Sequence, residues 1–125
     1  MAAVGLGVAE VSKYVTEGVV IACDNSPSSV TLSGDVEALA DVLDAIRADK
    51  PDVLARKLKV DMAYHSSHMK SLGFKYRELM EQEIKRQGLT RQKASVPFFS
   101  SVYERIIENG DELGPDYWIA NLTMR

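Results

Sequence analysis

Residues 1–62 of this 125-residue chain predict an α+β fold whose elements run in the order βαββαβ. Three observations carry that expectation. Short apolar runs, rich in β-branched residues, have the length of strands. The stretches between them place apolar residues every three or four positions, as helices do. Turn-forming residues stand at the joints.

The elements follow in order. Ala2 to Leu6 reads as a short buried strand. Val8, Val11 and Val15 then recur at helical spacing, and Gly18 breaks that helix. Val19-Val20-Ile21-Ala22-Cys23 is a second, β-branched strand. Asp24 to Ser29 holds Asn25, Pro27 and three serines, which is the chemistry of a turn. Val30 to Ser33 supplies a third strand. Asp35 is placed to cap a helix whose Val36, Leu39, Val42, Leu43 and Ile46 form one apolar face, and Pro51 stops it. Lys57 to Met62 alternates charged and apolar residues, as a half-buried fourth strand does. Such an order is that of the ferredoxin-like split unit.

Residues 63–125 differ in character. Leu72, Tyr76, Leu79, Met80 and Ile84 make one helix face, ended by Gly88. Thr90 to Ser95 reads as a polar loop. Val96 to Val102 reads as a strand, with Pro97 near its start where a missing N–H is tolerated. A linker through Gly110 and Gly114-Pro115 leads to Asp116, expected to cap a last helix from Tyr117. One strand and two helices leave apolar sides with nothing in the chain to cover them. Leu72, Tyr76, Leu79, Phe98, Phe99, Tyr117 and Trp118 are therefore expected to pack on a further body of protein.

Composition excludes several classes. Hydrophobic residues make up 46% and charged residues 26%, the balance of an ordinary soluble domain. A net charge of −3 leaves no basic stripe to neutralise a phosphate backbone, so nucleic acid is not an expected partner. Apolar runs such as Val19 to Cys23 are too short to span a bilayer, so neither is a membrane. No Lys or Arg precedes Lys13, which speaks against a secretory signal peptide. Cys23 has no second cysteine to pair with, and a reducing cytoplasmic location is expected.

Three stretches then carry chemistry: NSPSSVTLSGD (residues 25–35), LKVDMAYHSSHM (58–69) and YWIANL (117–122). In that order they resemble the acyltransferase domains of polyketide synthases, those of the malonyl-CoA:ACP transacylase type, and the iterative fungal highly reducing synthases in particular. The opening MAAVGLG and the FFSSV of residues 98–102 also fit, so the resemblance covers nearly the whole chain. It implies a ferredoxin-like small subdomain over residues 1–62. It further implies that residues 63–125 are a fragment of the large, α/β-hydrolase-like acyltransferase subdomain.

The resemblance also implies roles. In the family a serine attacks the thioester of malonyl-CoA, and the acyl-serine is then attacked by the phosphopantetheine thiol of an acyl carrier protein. His65, in AYHS, matches the general base. A serine hydroxyl is a poor nucleophile until a base accepts its proton, and an imidazole can both take and return one. Asn121 matches the position whose backbone carbonyl orients that histidine, although Thr123-Met124-Arg125 departs from the family's proline-containing continuation. Tyr64 matches the position that sets extender size, and an aromatic there is associated with malonyl, because a ring leaves no room for a branch.

The family's nucleophile sits in a G-x-S-x-G elbow, and no serine here has that setting. Ser71 has only the second glycine. The expectation is a chain that supplies the base but lacks the serine and is inactive alone. Met1 is then an internal position of a longer synthase, or the start of a truncated product. The expected partners are the N-terminal part of the acyltransferase domain, an acyl carrier protein and neighbouring synthase domains. Malonyl-CoA is the substrate, and no cofactor is bound by this segment.

Other readings start from the same residues. Asp61, His65 and His68 would share a face on one helix, as metal ligands can, but two histidines and a carboxylate make a minimal site and no metal is expected. Cys23 ends an apolar strand and is read as a small core residue rather than a nucleophile. NSPSSVTLSGD lacks the lysine and glycine spacing of a phosphate loop. A free-standing ferredoxin-like module or a gene remnant, binding a small molecule or a protein without chemistry, is the alternative from a different functional class.

Overall fold

A computed structural model describes residues 1–90 and 92–124. The chain divides into two compact units, Met1–Met69 and Lys70–Met124.

The first unit runs β1 (Ala2–Val4), α1 (Val8–Val11), β2 (Val19–Ser26), β3 (Ser29–Gly34), α2 (Val36–Asp49) and β4 (Ala55–Lys57), then a 3-10 turn at Ser67–Met69. The strands form one antiparallel sheet in the order β2-β3-β1-β4. Alternation along the strands decides which side is buried. Ala2 and Val4 of β1 stand opposite Leu32 and Val30 of β3, and all four are sealed from solvent. Against them α2 sets Leu39, Val42, Leu43 and Ile46, which recur at helical spacing and belong to the same core. Each such side chain contributes about 1.5–3 kcal/mol on burial, so this face stabilises the unit. Val36, at the first helical position, is exposed instead.

Four local expectations need correction. The first helix is one turn long, since Tyr14 N–H closes onto the Val11 carbonyl at 2.9 Å, and Val15 packs on the core from outside it. The turn expected over Asp24 to Ser29 shrinks to Pro27 and Ser28. Register irregularities along β2 let it continue through Ser26, where the Asn25 amide donates to Thr31 Oγ1 at 3.0 Å. The first strand stops at Val4. The fourth strand is Ala55–Lys57 rather than Lys57 to Met62. Its partner β1 is only three residues long and runs out at Met1, whose carbonyl accepts from Leu58 N–H at 2.9 Å. Alternation alone cannot make a strand where no neighbour remains to pair.

The second unit contains α3 (Lys70–Gln87), β5 (Lys93–Ser100), β6 (Arg105–Asn109), a 3-10 turn at Gly110–Leu113 and α4 (Pro115–Thr123). Gly88 takes φ 61° just past α3, the left-handed conformation that ends helices. Lys93 to Ser95, expected in a loop, belong to β5; Arg91 of that expected loop lies outside the described residues. The strand stops at Ser100, and Val102 lies in the following turn. β5 and β6 form an antiparallel hairpin in which Phe98, Phe99 and Ser100 face Ile107, Ile106 and Arg105. β6 was expected as linker, because two apolar residues among charged ones carry little strand signal without the partner. α4 begins two residues earlier than expected: Gly114 is its N-cap and Pro115 takes the first helical position, where its missing N–H costs nothing. Asp116 lies inside the first turn and pairs with Arg77 of α3, whose guanidinium holds the carboxyl below its ordinary range.

Tyr117 closes a small aromatic cluster within this unit. Its ring meets Phe98, Tyr103 and Trp118 edge-on at centroid distances of 6.2, 5.3 and 5.1 Å. Tyr117 is thus buried by this chain itself and, contrary to expectation, needs no further body to cover it. Phe74 and Phe99 remain 84% and 67% exposed.

Candidate functional site

Beyond Lys57 the chain runs through residues 58–66 without helix or strand. His65 lies in this stretch, half-buried, at φ 57°. Few residue types adopt that left-handed backbone, histidine more readily than most, and such conformations persist where the surroundings hold them. Here the next residue does the holding. Ser66 is buried; its Oγ donates to the Ala63 carbonyl at 2.6 Å and accepts from the His68 N–H at 3.3 Å. The Ser66 carbonyl accepts from Met69 N–H at 3.1 Å. The backbone is thus clasped before and after His65. Tyr64 precedes His65 directly and is exposed.

His68 is tied elsewhere. Its Nε2 lies 2.6 Å from Asp35 Oδ1, at the start of α2. Asp35 is the N-cap residue by position, yet its side chain makes no capping bond. Its main chain is nonetheless anchored, the N–H to the Gly18 carbonyl at 2.9 Å and the carbonyl from Leu39 N–H at 2.9 Å. Asp61 and His65 sit on no helix, so the helical face that would align them with His68 does not form. Among the described residues no three His, Cys, Asp or Glu side chains are gathered for a metal ion.

Asn121 belongs to the last turn of α4, in the second unit. Met124 leaves the helix in extended conformation, its N–H donating to the Ala120 carbonyl at 2.7 Å. Ser71 sits in the first turn of α3, a regular helix rather than a strand-to-helix elbow. Among the described residues no helix is long and apolar enough to cross a membrane.

Sequence reasoning missed two members of this neighbourhood. Ser66 could have been suspected, since a serine directly before a helical turn is a capping signal. The pairing of Asp35 with His68 had no local signal, because 33 residues separate them.

Comparison with known proteins bears on the whole chain. The model of the acyl transferase domain family matches residues 1–124. A highly reducing polyketide synthase of Nectria sp. is 52% identical over 122 residues, which is 98% of this chain and 5% of that protein. One of Fusarium sp. is 46% identical over the same share of each. Among solved structures, the acyltransferase domain from module 8 of the salinomycin polyketide synthase superposes with a TM-score of 0.82 at 27% identity, over 98% of this chain and 28% of that one. The malonyl-CoA:ACP transacylase of Synechocystis sp. does so with a TM-score of 0.74, again at 27% identity, over 99% of this chain and 40% of that one. With an α+β structure that follows these domains and a family match over 124 residues, the chain belongs to the acyl transferase domain family.

Proposed function

We propose that this chain is the histidine-bearing part of a polyketide synthase acyltransferase domain, one that moves a malonyl group from CoA to the phosphopantetheine thiol of an acyl carrier protein. The observation that carries the reading is the family match over residues 1–124, joined to a histidine in AYHS held in a left-handed backbone by its own segment. The βαββαβ order with strands arranged β2-β3-β1-β4 is read as the ferredoxin-like small subdomain, residues 1–62. Residues 63–125 are read as part of the large α/β-hydrolase-like subdomain. The rest of that subdomain, in an N-terminal portion of the synthase, supplies the elbow serine. The whole works in the cytoplasm beside the other synthase domains.

In this mechanism His65 takes the proton of the serine hydroxyl as its oxygen bonds to the malonyl carbonyl carbon. The C–S bond to CoA breaks, and the proton passes from His65 to the leaving thiolate. The carrier's thiol then gives its proton to His65 and attacks the acyl-serine, whose ester oxygen leaves and recovers that proton. Asn121 keeps the role that the family pattern gives its position: a backbone carbonyl that orients the base and fixes its tautomer without a buried charge. Tyr64, beside the base, limits the space at the malonyl α-carbon.

Labelled malonyl-CoA tests the division of labour. The chain alone should keep its intact mass, whereas the complete domain should gain one malonyl group on its elbow serine. A stable malonyl adduct on any serine of this chain alone would overturn the reading.

A further inference from the structure

The pair formed by Asp35 and His68 has no place in the mechanism above, and three observations suggest one. First, Asp35 stands where a carboxylate ordinarily caps a helix, a bond worth about 0.5–2 kcal/mol, yet its side chain makes none. It turns to His68 Nε2 instead, at 2.6 Å. Secondly, the mount is rigid. A Cβ on Gly34 would fall 2.0 Å from the Gly18 carbonyl oxygen, and one on Gly18 would fall 2.5 Å from Asp35 Oδ2. Two bare glycines thus let β2 and β3 close up and leave room for the carboxylate. Thirdly, the other end reaches the proposed base in three residues. His68 N–H donates to Ser66 Oγ, and Ser66 adjoins His65.

We propose that Asp35 and His68 are positioning residues, which fasten the irregular His65 segment to the end of β3 and so set where the imidazole stands; this rests on reading His65 as the base. The tie does little for global stability, because both side chains are about half exposed, and such pairs are worth about 0–1 kcal/mol. Its effect is local. A base misplaced by about 1 Å can cost up to a hundredfold in rate while substrate binding is untouched. The bond also survives a neutral His68, since an imidazole N–H donates to a carboxylate without charge.

The test uses the intact protein with its acyltransferase complete. Asp35→Ala and His68→Ala should each lower kcat for malonyl transfer by about tenfold, with KM for malonyl-CoA and melting temperature unchanged. The double variant should lose no more than either single one, as partners in one bond do. His68→Gln, which keeps a donor in place of Nε2, should recover most of the rate. A loss that Gln does not restore, or one accompanied by a lower melting temperature, would mean a merely structural role and overturn the proposal. Unchanged kcat in both variants, beside a crippled His65→Ala, would overturn it alone. A fully active His65→Ala would overturn the base reading, and this proposal with it.

Discussion

Ser100 Oγ donates a hydrogen bond to the Tyr117 hydroxyl at 3.1 Å, and both residues are sealed from solvent. The same Oγ accepts from the Val102 and Tyr103 N–H groups at 3.1 and 3.0 Å, so one buried hydroxyl organises the turn of the hairpin and anchors α4 to it. Tyr117→Phe should destabilise the second unit by about 0.5–1.5 kcal/mol, the net worth of a hydrogen bond. Tyr117→Ala should cost about 3–5 kcal/mol, because the aromatic cluster then surrounds a void. Trp118, in edge contact with Tyr117, reports the transition by fluorescence in a urea titration. Equal midpoints for the two variants would show that the ring packs on nothing of consequence.

Gly34 offers a test of the first unit. Its φ is 155°, and an added methyl would overlap the Gly18 carbonyl oxygen. Gly34→Ala should therefore lower stability by more than about 1 kcal/mol, against the small gain the same change gives where the backbone tolerates it. Chemical denaturation measures this directly, and a stabilised variant would contradict the close approach of β2 to β3.

How much of this was readable beforehand depended on distance along the chain. The apolar face of α2 was legible because Leu39, Val42, Leu43 and Ile46 signal a helix within one segment. Strand limits were not, since they are set by the partner: β4 ends where β1 does, whatever the alternation of Lys59, Val60, Asp61 and Met62. β6 went unseen because Ile106 and Ile107 take their meaning from Phe99 and Phe98 across the hairpin. At the candidate site, His65 and Tyr64 stood out through a motif. The bond from His68 to Asp35 joins residues no window spans.

Hydrogen exchange on this chain should differ between its units. The first closes a core on α2 and the sheet. The second leaves Phe74, Leu79, Val96 and Phe99 in water, each forfeiting part of the about 1.5–3 kcal/mol that burial confers, against a domain total of about 5–15. Amides of β1, β3 and α2 should exchange slowly, while those of α3 and β5 exchange fast or slow only in oligomers. Uniformly slow exchange in a verified monomer would show that the second unit is stable by itself.

Extender choice should respond to Tyr64. In the complete domain, Tyr64→Ser should raise methylmalonyl transfer relative to malonyl. One methyl group is worth only about 1–3 kcal/mol of discrimination, so relaxation rather than a clean switch is expected. Competition between the two CoA esters measures the ratio, and an unmoved ratio would remove Tyr64 from the specificity role.

The most direct measurement is the rate of self-acylation of the complete domain by malonyl-CoA, read by rapid quench for the parent and for His65→Ala. Removing a general base should slow acyl-serine formation about a hundred- to ten-thousandfold with the fold intact. Acylation of His65→Ala at the parent rate would contradict the assignment of His65 as the base.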